Sequence, residues 1–203
     1  WVKNLFVLAP AVFAKAHTTE DPALLLLALL ATLVFILLSG SVYIMNDVLD
    51  IEKDRLHPVR SLRPLPSGRL TVQTAIAGGL LSLGIGFALG SLLGTAFVVT
   101  ATLYFVQNVF YSTFLKKIAY LDVLSIATGF LLRILAGCFA IGLAPAEISY
   151  YLIICTFLVS LFLALGKRRH ELALLKEASR ETRSVLSQYR IEHLDVALYA
   201  VGT

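Results

Sequence analysis

Long apolar blocks alternate with short charged segments along this chain, and the blocks set the elements it predicts. Windows of about 20 residues place helices near 5–16, 22–45, 72–89, 92–114, 121–141 and 148–165, with a seventh starting near His193. The blocks are apolar on every face, whereas an outer-membrane barrel would alternate polar and apolar positions in short strands. The expected fold class is therefore all-α, a polytopic transmembrane helical bundle. The first block is short for a span, and it either lies partly in the interface or is completed by residues upstream of Trp1. The chain stops at Thr203 just as an apolar run opens at Val196. Residues 1–203 are accordingly expected to be one membrane domain cut from a longer protein.

Composition agrees with this class: 58% of residues are hydrophobic and 15% charged, with a mean hydropathy of +0.84. Blocks recurring along the whole chain exclude a cleaved leader or a single anchor as their explanation. The net charge of +4 reports orientation before it reports nucleic acid, which is not expected as a partner. Lys53, Arg55, Arg60, Arg63 and Arg69 follow the second helix, Lys116 and Lys117 the fourth, and Lys167 to Arg190 the sixth. The other side carries a single base, Lys15. By the positive-inside rule the three charged loops face the cytoplasm in an alternating six-span topology. Cys138 and Cys155 have no Cys or His at ligand spacing and read as core residues. Gly86, Gly90 and Gly94 recur every four residues, a spacing that serves helix packing and turns, since no strand precedes them to make a nucleotide loop.

The segment after the second helix, NDVLDIEKDRLHPVRSLRP, holds the densest chemistry. Asp47, Asp50 and Asp54 are three and four residues apart, so a continued helix puts them on one face beside Asn46. Three carboxylates on one stripe repel one another unless a cation sits among them, and all-oxygen ligands suit Mg²⁺, which binds through carboxylates and substrate phosphates. Arg55, His57, Arg60 and Arg63 follow on a loop punctuated by Pro58, Pro64, Pro66 and Gly68, able to fold back over the acids. A bland alternative is a solvated helix end whose acids pair with those bases. Arg133 lies eleven residues after Asp122 on the fifth helix, about 16 Å deeper. A charge at that depth faces a cavity or a partner. Asp122 either joins the site or merely starts its helix favourably.

Asn46, Asp47, Asp50 and Asp54 reproduce the NDxxDxxxD motif of the UbiA superfamily of intramembrane prenyltransferases. Arg63-Pro64-Leu65 with Ser67-Gly68 resembles its RPLxxG continuation. The likeness extends through WVKNLFVLAP and YSTFLKKIAYLDVLSIATGFLLRILAG, over essentially the whole chain. It implies nine helices around a central cavity open to the cytosol. It also implies catalytic, metal-binding roles for Asp47, Asp50 and Asp54.

Prenyl-transferring members carry a second aspartate-rich motif after the sixth helix, where this chain has GKRRHEL instead. Lys167, Arg168, Arg169 and His170 there offer cations, which grip phosphate without a metal. With WVKN, the YSxxLK stretch (Tyr111, Ser112, Leu115, Lys116) and LGKRRxEL, the chain resembles the branch that moves phosphoribose onto decaprenyl phosphate. That resemblance implies Mg²⁺ as cofactor, with phosphoribosyl diphosphate and a polyprenyl phosphate as partners. It further implies a bacterial plasma-membrane enzyme serving cell-wall polysaccharide synthesis. The expected substrate-binding set is Asn46, Arg55, Arg60, Arg63, Tyr111, Lys116, Asp122, Arg133, Lys167, Arg168 and Arg169. Basic residues after a helix also anchor at anionic headgroups, which is the plainer account of the GKRR run. Two other functions stand beside this one: prenyl transfer to an aromatic or polar acceptor, and a transporter or lipid-binding protein whose charges only set topology. Neither the acceptor chain length nor the oligomeric state follows from the sequence.

Overall fold

The computed structural model describes residues 2–13, 21–178 and 185–203, without the side chains of 175–178. Lys15 and the bases Arg180 and Arg183 lie outside the described residues. The chain opens as a 3-10 helix, Val2–Leu8, running into a short α1, Ala9–Phe13. It continues through α2 (Pro22–Leu49), α3 (Ile51–Leu56), α4 (Val72–Gly90), α5 (Thr95–Thr113), α6 (Leu121–Ala140), α7 (Tyr150–Ala178) and α8 (Ile191–Gly202). No strand occurs among the described residues.

Local chemistry starts and stops these helices where it should. Asp21 caps α2 by accepting from the Ala23 N–H at 2.9 Å, with Pro22 in the first turn where its missing N–H costs nothing. Thr71 caps α4 in the same way through the Thr74 N–H at 3.2 Å. Gly94, at φ +90°, takes the left-handed turn that separates α4 and its 3-10 extension from α5. Gly86 and Gly90 sit where added methyl carbons would come within 3.2 Å of Leu38 and Phe97, so their smallness lets α4 approach α2 and α5.

Among the described residues, four helices are long and apolar enough to cross a membrane: Pro22–Leu49, Val72–Leu93, Leu121–Ala140 and Tyr150–Leu174. The expected first span is instead a 3-10 segment joined to one α turn or so. The expected helix 92–114 is split at Gly94, and α5 falls below the apolar set because Thr100, Thr102, Tyr104, Gln107 and Asn108 dilute it. The sixth helix, expected to end at 165, runs on to Ala178. Outward faces carry exposed Leu26, Leu80, Leu81, Val99, Leu103, Tyr151 and Leu163, the surface a bilayer would cover.

α6 is the central element, packed by α2, α5, α7 and the N-terminal segment. Phe35, Leu38, Phe97, Ala101, Tyr104, Ala136 and Ala140 form the main core, with Val7 inserted from the N-terminal segment. Gly137 makes that insertion possible, since a methyl carbon there would collide with the Val7 carbonyl and the Pro10 ring. This docking carries residues 3 and 4 to the middle of α6, beside Arg133.

Candidate active site

α2 ends and α3 begins at Asp50, whose backbone (φ −101°, ψ 9°) bends the helix without breaking the ladder: its N–H donates to Asn46 and its carbonyl accepts from Asp54, both at 2.9 Å. The bend divides the three aspartates. Asp47 Oδ1 and Asp54 Oδ2 accept from the same nitrogen of Arg63, at 2.9 and 3.2 Å, while Arg60 reaches Asp54 Oδ1 at 3.4 Å. Asp50 turns to Lys116 Nζ, 2.9 Å away in the 3-10 turn Leu115–Lys117 that follows α5. Among the described residues no three His, Cys, Asp or Glu side chains converge on one point as metal ligands would. Two of the three carboxylates do face a single positive centre, and all available donors are oxygens, the set that suits a hard divalent ion.

The loop that brings Arg60 and Arg63 back over the acids is built by its own turns. The His57 ring nitrogen Nδ1 accepts from the Val59 and Arg60 N–H groups, Gly68 takes φ +77°, and Arg69 donates to the Leu62 carbonyl at 2.5 Å. Leu65 and Pro66 end near or below the surface, anchoring the fold-back. Arg55 does not join it; it pairs with Glu52 on its own exposed helix face at 2.9 Å.

Beside the acids, a cavity of about 210 Å³ runs between α2, α5, α6 and α7. Asn46 stands at its acidic end, and Tyr43, Gln107, Asn108 and Tyr111 add polar wall. Arg133, Lys167, Arg168 and, from the N-terminal segment, Lys3 supply its cations. Arg133 is 6% exposed. Its Nε donates to Asn4 Oδ1 at 3.1 Å, Nη1 to the Gly129 carbonyl at 2.9 Å and Nη2 to the Tyr104 hydroxyl at 2.6 Å. Asn4, itself buried, donates in turn to Ser39 Oγ at 2.8 Å.

The GKRR run is not one cluster. Because α7 continues through it, successive side chains point about 100° apart. Arg168 turns inward to Asp122 at 2.7 Å and to Glu171 at 2.5 Å. Arg169 turns outward to Asp195 on α8. Lys167 faces the cavity, and His170 is exposed. Asp122 is fully buried and also accepts from the Tyr189 hydroxyl. Burial, then that hydrogen bond, raises the Tyr189 phenol above the ordinary tyrosine range. Asp122 is thus a structural anchor for α7 and for the 185–190 segment. Tyr120, the one non-glycine residue with positive φ among those described (66°), donates its N–H to the same Tyr189 oxygen at 2.8 Å.

Lys3 and Asn4 also stand at this site, outside the set expected from the sequence. A Lys-Asn pair heading an apolar run was the available signal, since polar groups there need a partner at depth.

Comparison with known proteins places this arrangement. A decaprenyl-phosphate phosphoribosyltransferase from Corynebacterium glutamicum is 31% identical over 196 residues, 96% of this chain and 58% of the relative. A digeranylgeranylglyceryl phosphate synthase from Saccharolobus solfataricus is 35% identical over 138 residues, 68% of this chain and 47% of the relative. The chain therefore spans roughly half to three-fifths of the length of these two relatives. A solved UbiA homologue from Archaeoglobus fulgidus, bound to DMAPP and Mg²⁺, superimposes with a TM-score of 0.71 at 20% identity, covering 98% of this chain and 73% of that one. The UbiA prenyltransferase family model matches residues 4–174, and with the membrane helices and the bent aspartate motif now described, this integral membrane chain belongs to that family.

Proposed function

We propose that the protein to which this chain belongs transfers a 5-phosphoribosyl group from phosphoribosyl diphosphate to a polyprenyl phosphate, releasing diphosphate, with Mg²⁺ as cofactor. The observation that carries the reading is on α7. Where a prenyl-diphosphate enzyme needs a second acidic group, this helix gives the cavity Lys167, and its one nearby acid, Glu171, is bound to Arg168. One acidic rim and one basic wall suit a donor with a diphosphate and a separate phosphate. Relatives named decaprenyl-phosphate phosphoribosyltransferase support the same choice.

Asp47 and Asp54, with Asp50 alongside, are the residues that would hold Mg²⁺. When bound there, the ion draws charge from the diphosphate and improves it as a leaving group. Arg60, Arg63 and Lys116, already gathered over these acids, supply hydrogen bonds to the departing oxygens. Asn46 and Tyr111 offer polar contacts from the cavity wall. An oxygen of the lipid phosphate forms a bond to C1 as the C1–O bond to diphosphate breaks, the electron pair leaving with diphosphate. The attacking phosphate is already anionic, so no protein base has to remove a proton. In this reading the charged loops and this site face the cytoplasm of a bacterial plasma membrane, an orientation that the distribution of Lys and Arg supports.

Prenyl transfer is the second reading, favoured by the synthase relative and by the DMAPP-bound structural neighbour. An assay of the complete protein in nanodiscs, with Mg²⁺ and with labelled sugar or prenyl donor, separates the two. Label from phosphoribosyl diphosphate entering the lipid fraction supports the proposal; consumption of only the prenyl donor refutes it.

A further inference from the structure

Lys3, Arg133 and Lys167 come from three separate elements and line one cavity with no carboxylate among them to balance their charge. Every hydrogen-bond partner of Arg133 is neutral: Asn4, the Gly129 carbonyl and the Tyr104 hydroxyl, with the guanidinium 4.6 Å from the Tyr104 ring centre. These three bonds use three of its five N–H groups. Lys3 Nζ stands 5.7 Å from the Phe130 ring centre and feels the repulsion of both Arg133 and Lys167. Lys167 has Glu171 only at 4.0 Å, and that carboxylate is held at 2.5 Å by Arg168.

The site's other cations differ. Arg60, Arg63, Lys116, Arg168 and Arg169 each pair with an aspartate. Like charges brought together beside a low-dielectric interior repel strongly, and the arrangement is relieved when an anion sits between them. Arg133 is already locked in place by its neutral partners, so an anion reaching it meets a donor that needs little ordering.

We propose that Lys3, Arg133 and Lys167 form a phosphate-monoester site, separate from the acidic rim around Asp47 and Asp54. This replaces the grouping of Lys167, Arg168 and Arg169 suggested by their adjacency in the sequence, and it adds Lys3. A dianionic terminal phosphate matches these three cations, whose nearest carboxylate, Glu171, is 4.0 Å from Lys167 and already held by Arg168, better than a carboxylate does. The two sources considered, a sugar 5-phosphate and a lipid phosphate, rest on the phosphoribosyl reading above; the anion site rests on the geometry alone.

The test is equilibrium binding to the complete protein in nanodiscs, in EDTA, so that it does not depend on turnover. The probes are ribose 5-phosphate and farnesyl phosphate, with ribose and farnesol as unphosphorylated controls. One phosphorylated probe is expected to bind where its control does not. Lys3→Gln, on an exposed side chain at the cavity and with unfolding temperature as the folding check, weakens that binding about tenfold, while Arg169→Gln leaves it unchanged. Binding of ribose 5-phosphate identifies the sugar source, and binding of farnesyl phosphate the lipid source. Failure of both phosphates to exceed their controls, or equal binding by Lys3→Gln and the parent, overturns the site. Lys3-dependent phosphate binding in a protein that consumes only a prenyl donor keeps the site and removes the phosphoribosyl reading.

Discussion

Arg63 holds Asp47 and Asp54 together through one nitrogen, at 2.9 and 3.2 Å, across sixteen and nine residues of chain. The contact places a positive centre between two carboxylates that would otherwise repel. It also ties the Pro-rich loop to the bend at Asp50. If these acids are there to handle a metal-bound diphosphate, Asp54→Asn should lower transfer by about 100-fold or more while the protein still purifies folded. Rates for the parent and variant, with thermal unfolding in detergent as the folding check, test it; a fully active variant would refute the metal role.

Arg168 and Asp122 should behave differently, because they act on the fold. Removing Arg168 as Arg168→Met leaves a buried carboxylate with only Tyr189 and costs about 3–5 kcal/mol. Loss of stability should accompany loss of activity in proportion. A variant of parental stability with no activity would instead put Arg168 in direct contact with substrate.

Arg169 and Asp195 form an exposed pair between α7 and α8. Arg169→Ala is expected to leave both transfer rate and unfolding temperature near parental values. A large loss of transfer would return Arg169 to the site.

The N-terminal segment is held by a close approach that only glycine permits. Gly137→Ala drives a methyl group against the Val7 carbonyl and Pro10, with an overpacking cost of about 1–3 kcal/mol. Undocking of the segment also withdraws Asn4 from Arg133. Lower thermal stability together with faster proteolysis before residue 13 is the expected outcome; parental behaviour in both would show the segment is not held there.

Tyr189 gives a pH dependence. Its phenol is raised in the fold, so its contribution is fully present below about pH 10, the unfolded value, and is lost as pH rises through the folded value. The parent should therefore lose more thermal stability than Tyr189→Phe on going from pH 7 to pH 11, and the two should run parallel between pH 6 and 9. Equal losses at pH 11 would contradict the assignment.

The acidic site was legible because its logic is local: residues three and four apart on one helix must share a face, and a Pro- and Gly-marked loop must turn. Even so, the bend at Asp50 sends that carboxylate to Lys116, a partner 66 residues away that no local spacing reveals. The basic side was misgrouped for a related reason. Adjacent cations gather only in a loop, and α7 proved to be helical through residues 167–169, so one side chain went to the cavity, one to Asp122 and one to Asp195. Arg133 was found from the cost of burying a charge, but its neighbour Asn4 lies 129 residues away, and Lys3 beside it came to light only through tertiary packing. The membrane class was plain from hydropathy, and α5 is less apolar than α2, α4 and α6 because Tyr104, Gln107, Asn108 and Tyr111 on it line the cavity.

The most direct test of the central claim is a donor comparison on the complete protein in nanodiscs containing polyprenyl phosphate, with and without EDTA. The account predicts that label from phosphoribosyl diphosphate enters the lipid fraction, that EDTA stops it, and that prenyl diphosphate is left intact. Transfer from prenyl diphosphate alone, or sugar transfer that persists undiminished in EDTA, would contradict it.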